Sequence, residues 1–277
     1  MKVGLYTRTP DESTTHPLAD ILGRNGLSTI ELSSQSQVGD LSDVDVVLSV
    51  GGDGTLLSSV HLIGATGIPV LGVNFGHLGF LTTANKENVS QMVESLKAGD
   101  YNIEKRTLLK VAMSEGGENP QFVLNEVSMH RTLDNPLLRV RVYVDGQYLA
   151  NYSGDGLIVA TPTGSTAYSL SCGGPILTPD SGCVVITPIG AHTLTLRPMV
   201  LSDKVSILLQ PEGESSKLML GTDSTSRLIS SSQSVVLSRH ENELRLIRLP
   251  RQNFFSALRN KLLWGSSKYE NDKNNMH

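Results

Sequence analysis

VVLSVGGDGTLLSSV, residues Val46 to Val60, sets three glycines and one carboxylate between two apolar runs. The run leading in, VDVVLSV (Val44–Val50), is short and β-branched, the pattern of a strand covered on both faces. The run leading out reads as a helix beginning near Thr55. Gly51, Gly52 and Gly54 therefore lie where a buried strand turns toward a helix. Such a turn presents free backbone N–H groups and the positive end of a helix dipole to an anion. Phosphate loops of this kind usually bring a lysine. Here no lysine or arginine occurs between Arg24 and Lys86, and the G-x-x-x-x-G-K-[ST] and G-x-G-x-x-G spacings are both absent. The charge of a nucleotide polyphosphate then calls for a divalent cation, Mg2+ or a similar ion, carried in with the nucleotide. Asp53 reads in two ways, as the acceptor of a proton from an attacking hydroxyl or as the N-cap of the helix that follows. The spacing leaves both open.

The flanking sequence alternates strand and helix. KVGLYT (Lys2–Thr7), STIEL (Ser28–Leu32) and IPVLGVN (Ile68–Asn74) read as strands. HPLADILGRNG and KENVSQMVESLKAG read as helices ended by Gly26 and Gly99. Alternation of this kind predicts parallel pairing with helices on both faces of the sheet. Beyond Tyr101 the texture changes. LLRVRVYVDGQYLA alternates with period two through Leu138, Val140, Val142 and Val144, and Asp145-Gly146 supplies a hairpin turn. KVSILLQ, SKLMLGT, SVVLSR and ELRLIRL follow as four further strands of a sandwich or meander. RQNFFSALRNKLLWG is helical again, with Phe254, Leu258 and Leu262 on one stripe that has to be covered, and SSKYENDKNNMH reads as a disordered tail. The expected fold is α/β plus all-β: an N-terminal α/β domain of residues 1–102 completed by 251–277, and a β-sandwich domain of 103–250.

Composition narrows the classes of function. A net charge of -4 and a pI near 6.0 give no electrostatic case for nucleic acid or an anionic membrane as partner. Cys172 and Cys183 are too few for a disulfide framework or a structural zinc site, and read as reduced thiols. MKVGLYTRTP lacks an apolar core of signal-peptide length, and no run reaches the length of a membrane span. These features lead us to expect a soluble cytoplasmic protein.

A second glycine-rich segment, SGDGLIVATPTGSTAYSLSCGGPILT (residues 153–178), also lacks any basic residue. It combines many hydroxyls with one aromatic ring, Tyr168, on which a base could stack. Together with GGDGTLL (51–57), NFGHLGFL (74–81), LNEV (124–127), ITPIGAHTLTLRP (186–198) and the closing FFSALRNKLLWG, it resembles the NAD kinase family in order and spacing over nearly the whole chain. GGDGT alone is shared with diacylglycerol and sphingosine kinases, and a related loop occurs in phosphofructokinases. TPTGSTAYSLS separates the NAD kinases from them.

The resemblance implies a Rossmann-like α/β domain carrying the GGDGT loop, a C-terminal β-sandwich, and assembly as a homodimer or homotetramer. It also implies transfer of the γ-phosphoryl of ATP to the 2′-hydroxyl of the adenosine ribose of NAD, with a divalent metal. By motif, Asp53 is the proton acceptor and Gly54 touches the substrate. Asn125 and Glu126 bind the adenosine part, Asp155 is an NAD-contacting carboxylate, and Thr166, Ala167, Tyr168, Ser169, Leu170 and Ser171 form a dinucleotide-binding stretch. Gly51, Gly52, Thr55, Phe75, His77, Ser153 and Thr225 fall in loops near that site, and no residue is assigned as a metal ligand. Ser153 stands where some bacterial relatives carry an arginine, and Thr225 where the family often has glutamine, departures that leave the reaction intact and leave open how the nicotinamide side is held. Glu126 also reads as a buried, paired carboxylate, Asp155 as a turn former and His192 as a packed histidine. The alternatives are another GGDGT-type kinase acting on a lipid or sugar phosphate, or a catalytically silent dinucleotide-binding sensor. The sensor gains nothing from a carboxylate beside phosphates. A lipid kinase would call for a membrane-facing segment that this chain lacks.

Overall fold

The computed structural model describes residues 1–8, 12–64, 66–76, 79–114, 121–193, 195–213, 217–223, 225–250 and 252–265. The tail read as disordered, 266–277, and His77 lie outside them. The chain divides into two compact units: residues 1–59, 68–104 and 246–277 form the first, and 60–67 with 105–245 form the second.

In the first unit the strands are β1 (Lys2–Tyr6), β2 (Ser28–Leu32), β3 (Val46–Val50), β4 (Val70–Val73) and β5 (Thr82–Ala84). The helices are α1 (Glu12–Arg24), α2 (Asp53–Ile63), which continues into the second unit, and α3 (Val89–Ala98). The sheet runs β2-β1-β3-β4, all parallel, with β5 on β4 and Leu246 beside Val70. Every residue of β3 is buried, as a β-branched run of this kind predicts, and the burial includes the polar Ser49. Val46, Leu48 and Val50 share a core with Leu18 and Leu22 of α1 and Met92, Val93 and Leu96 of α3. Val47 and Ser49 alternate to the opposite face, also buried. The chain order reverses between β1 and β3, the switch point at which doubly wound sheets bind ligands beyond their carboxyl ends. The GGDG turn follows β3 there.

The second unit is a two-sheet sandwich. Its strands are β6 (Asn102–Met113), whose first residues, up to Glu104, belong to the first unit, β7 (Gln121–Val123), β8 (Glu126–Arg131), β9 (Leu138–Val144), β10 (Gln147–Gly154) and β11 (Gly156–Ala160). They continue with β12 (Cys183–Ile189), β13 (Met199–Ser202), β14 (Ile207–Pro211), β15 (Lys217–Thr222), β16 (Thr225–Ser230) and β17 (Val235–Arg248), whose last residues, from Leu246 on, belong to the first unit. One sheet orders β10-β9-β14-β17, with β6 on β17, and the other β13-β12-β11-β8-β15-β16. Val140, Val142, Ile207 and Leu237 of the first pack with Val127, Met129, Val159, Ile186 and Leu220 of the second in a single apolar core. Asp145 and Gly146 take φ of 49° and 78°, the two positive values of a type I′ hairpin turn.

Two expectations about elements change. SVVLSR and ELRLIRL form one strand, β17, because its polar middle is held in line: Arg239 pairs with Asp203 at 2.7 Å and with Glu243 at 2.6 Å. His192 is exposed rather than packed. The C-terminal helix, α5 (Phe254–Leu262), buries Phe254 and Leu258 and belongs to the first unit, where Gln252 just ahead of it donates to the Thr83 carbonyl at 2.7 Å.

Candidate active site

Asp53 is the first residue of α2, two positions earlier than its apolar run suggests. Gly51 turns the chain with φ of 144°, and a side chain there would strike Thr55. The Thr55 and Leu56 amides are met locally, both donating to the Gly52 carbonyl, at 2.9 and 3.3 Å. The Asp53 carboxylate looks elsewhere: Oδ2 accepts from the Phe80 amide at 2.7 Å, and Oδ1 from Leu81 and Thr82 at 3.1 and 3.2 Å. The helix-capping reading of Asp53 is overturned, because its oxygens serve a loop more than two dozen residues downstream. A carboxylate offers about four acceptor positions. Among the described residues three are taken here, which leaves one on Oδ2. Gly79 approaches so closely that a Cβ on it would fall on the carboxylate. Gly54 is open, with nothing within 4 Å of a Cβ built on it, and Phe75 is 37% exposed.

Asn125 and Glu126 stand at the start of β8 in the second unit. Asp223, in the turn between β15 and β16 with φ of 49°, accepts the amides of Leu124, Asn125 and Glu126 at 2.8, 2.8 and 3.1 Å. From the other neighbour, Thr161 N–H donates to the Asn125 carbonyl at 2.8 Å, and Gly164 lies against that carbonyl with no room for a side chain. The segment is thus fixed through its backbone, while no described residue hydrogen-bonds the Asn125 side chain. Thr225, across the turn, bonds Thr222 hydroxyl to hydroxyl at 2.8 Å.

Glu126 differs from a paired carboxylate. Its neighbour is the Asp223 carboxylate, and its Oε2 is buried with no partner among the described residues. Burial first, and the Asp223 charge second, push its carboxyl up to about 8. At pH 7 it is a neutral acid with an O–H to donate. Folding therefore takes up a proton between the ordinary carboxyl range and about 8, so stability falls as pH rises through that window, by about 1.4 kcal/mol per pH unit at its steepest. Glu126→Gln cannot ionise. Urea midpoints compared between pH 5 and 9 are expected to show the parent losing stability relative to E126Q as pH rises; parallel curves would place an ionised glutamate here.

Asp155 lies between β10 and β11 and is more than a turn former. Arg131 Nε donates to its Oδ1 at 2.6 Å, and the Arg131 bond and charge hold its carboxyl below the usual carboxylate range, with His192 and His130 adding to this. Burial lowers the His130 imidazole against the opposing pull of the Asp155 charge, and its ring stacks on Tyr168 with centroids 5.7 Å apart and planes at 19°. Tyr168 itself is 38% exposed. In the same stretch Thr166 donates to the Thr163 carbonyl at 3.2 Å, and Ala167 and Leu170 are half-buried. Ser171 is exposed, whereas Ser169 is wholly buried and bonded to Thr187 at 2.8 Å. The Ser153 carbonyl accepts the His192 amide at 2.9 Å.

Both units match known sequences. The family model for the ATP-NAD kinase N-terminal domain covers residues 25–101, and that for the C-terminal domain residues 124–249. The chain belongs to the ATP-NAD kinase family. An NAD kinase of Porphyromonas gingivalis is 42% identical over 224 residues, 81% of this chain and 77% of that one. One of Flavobacterium psychrophilum is 40% identical over 227 residues, 81% and 77% of the two chains. Among solved structures, yeast NADH kinase complexed with NADH shares the fold at a TM-score of 0.86 and 20% identity, over 96% of this chain and 89% of its own. The Archaeoglobus fulgidus NAD kinase in complex with ATP does so at 0.78 and 23%, over 95% and 99%.

Within this ATP-NAD kinase framework, several residues that hold the candidate site escape a reading of sequence alone. Asp223, Arg131 and His130 are single polar residues in strands or turns, and only folding shows whom they meet. Among the described residues no helix is long and apolar enough to cross a membrane, and no three His, Cys, Asp or Glu side chains cluster as metal ligands.

Proposed function

We propose that the chain transfers the γ-phosphoryl group of ATP to the 2′-hydroxyl of the adenosine ribose of NAD, giving NADP, with Asp53 as proton acceptor. The observation that carries the reading is the Asp53 carboxylate fixed by three amides at the end of β3, with one Oδ2 position open. A ribose hydroxyl is a poor nucleophile, and phosphoryl transfer asks chiefly for positioning and charge neutralisation. Oδ2 accepts the hydroxyl's hydrogen bond and takes the proton late, once O–P bond formation has made it acidic.

Asn125 offers both a donor and an acceptor to the adenosine part of NAD, and neutral Glu126 offers a donor. Asp155, kept ionised by Arg131, and the exposed face of Tyr168 bind the rest of the dinucleotide. Thr166 and Ala167 lend backbone and hydroxyl groups, while Ser169 supports the turn from within. The described residues do not form a metal cage, and three acceptor positions of Asp53 are already occupied, so a divalent ion is read as part of the nucleotide substrate, offsetting charge on its phosphates. By family resemblance we read the protein as a cytoplasmic homodimer or homotetramer.

The test is formation of NADP from NAD, ATP and Mg2+, followed with an NADP-specific dehydrogenase. Chelating the metal is expected to lower the rate at least ~100-fold, in line with metal neutralisation of transferring phosphoryl groups. NAD binding without NADP formation would favour the silent sensor.

A further inference from the structure

We propose that Arg248 is a positioning residue for the phosphoryl transfer, setting the Asp53 carboxylate through the Phe80–Leu81 peptide. This rests on the assignment of Asp53 as proton acceptor. Arg248 ends β17, and its side chain is 5% exposed. Its Nη2 donates to the Phe80 carbonyl at 2.9 Å, and its Nε to Glu104 Oε2 at 3.0 Å. The Phe80 carbonyl and the Leu81 N–H belong to one peptide group. Arg248 grips the oxygen of that group, and Asp53 Oδ1 takes its N–H at 3.1 Å. A cation on the carbonyl polarises the peptide, so its N–H donates more strongly and the plane cannot rotate away from Asp53. Glu104 fixes the guanidinium in turn and meets its charge.

The cation absent from the glycine loop thus comes from near the other end of the chain, and it acts on the carboxylate rather than on phosphate. Gly79 closes the arrangement: its amide donates to Thr82 Oγ1 at 2.5 Å, folding the loop so that the Phe80, Leu81 and Thr82 amides converge on Asp53. Arg248 touches none of the reacting atoms in this scheme. Its effect must travel through Asp53.

The experiment is a cycle of Arg248→Lys, Asp53→Asn and the double variant, assayed for kcat and for KM with NAD and Mg-ATP. Lysine keeps a buried positive charge opposite Glu104 but cannot hold both partners with one fork. R248K is expected to lose ~10- to 100-fold in kcat with KM for NAD within about threefold, the split produced when a transition-state interaction alone is weakened. In the D53N background R248K is expected to change kcat less than about twofold, because the group it positions is gone. Exchange of the amides in residues 79–82 should speed up at least ~10-fold in R248K.

Equal losses in the parent and D53N backgrounds, or unchanged amide exchange, overturn the proposal. If R248K unfolds below the assay temperature, Glu104→Gln replaces it in the cycle. That variant keeps an acceptor for Nε and is expected to lose severalfold in kcat in the parent background alone. Parental kcat in D53N would instead overturn the proton-acceptor assignment, and parental kcat in R248K beside an impaired D53N overturns the Arg248 inference alone.

Discussion

Asp53→Asn is expected to lower kcat by about 10²- to 10⁴-fold, the range usually lost with a positioned general base. The dissociation constant for NAD should stay within about tenfold, equivalent to about 1.4 kcal/mol. The substitution is close to isosteric, and the asparagine carbonyl oxygen can keep the Leu81 and Thr82 amides. Its NH2 then replaces Oδ2, where it faces the Phe80 N–H and has no lone pair to offer the ribose hydroxyl. One loop contact is lost with the base, so binding of NAD must be measured separately, by calorimetry. Weak turnover with near-parental binding supports the assignment. Parental turnover would mean that the fixed carboxylate is structural and that the hydroxyl loses its proton to solvent or to phosphate.

The parts of this protein that were legible in its sequence are those decided locally. β3 reads from its own run because four of its five residues, Val46, Val47, Leu48 and Val50, are apolar and serve burial on both faces. The Asp145-Gly146 turn reads from its two residues because they set their own φ. β17 did not read as one strand, since the polar SRHENE segment in its middle looks like a turn until Asp203, Arg239 and Glu243 are seen to meet. The candidate site divides the same way. Gly51–Gly54 announces Asp53, but what the carboxylate touches is a set of main-chain amides, and any sequence would supply those. Asp223 is illegible for the same reason: it accepts backbone amides 97 to 99 residues away in the chain. Arg131 and Asp155 carry visible charges, yet their pairing across 24 residues depends on β8 and β11 lying side by side.

Gly79→Ala tests the same carboxylate from the opposite direction, leaving its chemistry intact and removing its space. A Cβ at residue 79 would overlap Asp53 Oδ1, Cγ and Oδ2 together. So close to those three atoms, the added methyl cannot be accommodated unless the carboxylate or the loop shifts. The carboxylate cannot give way freely, because three amides hold it. Either it swings off those amides, leaving them unpaired at about 1–3 kcal/mol each, or the loop retreats and opens the same bonds. Both routes move Oδ2 by more than the tolerance of a proton transfer, where a misplacement of about 1 Å can cost ~100-fold. G79A is therefore expected to lose at least ~100-fold in kcat while still folding. Gly23→Ala serves as the control: it sits in α1 with nothing within 4 Å of its Cβ, and should leave kcat unchanged. If G79A turned over at the parental rate, the carboxylate could leave its amides without consequence, and neither the base nor the loop that holds it would have the role assigned here.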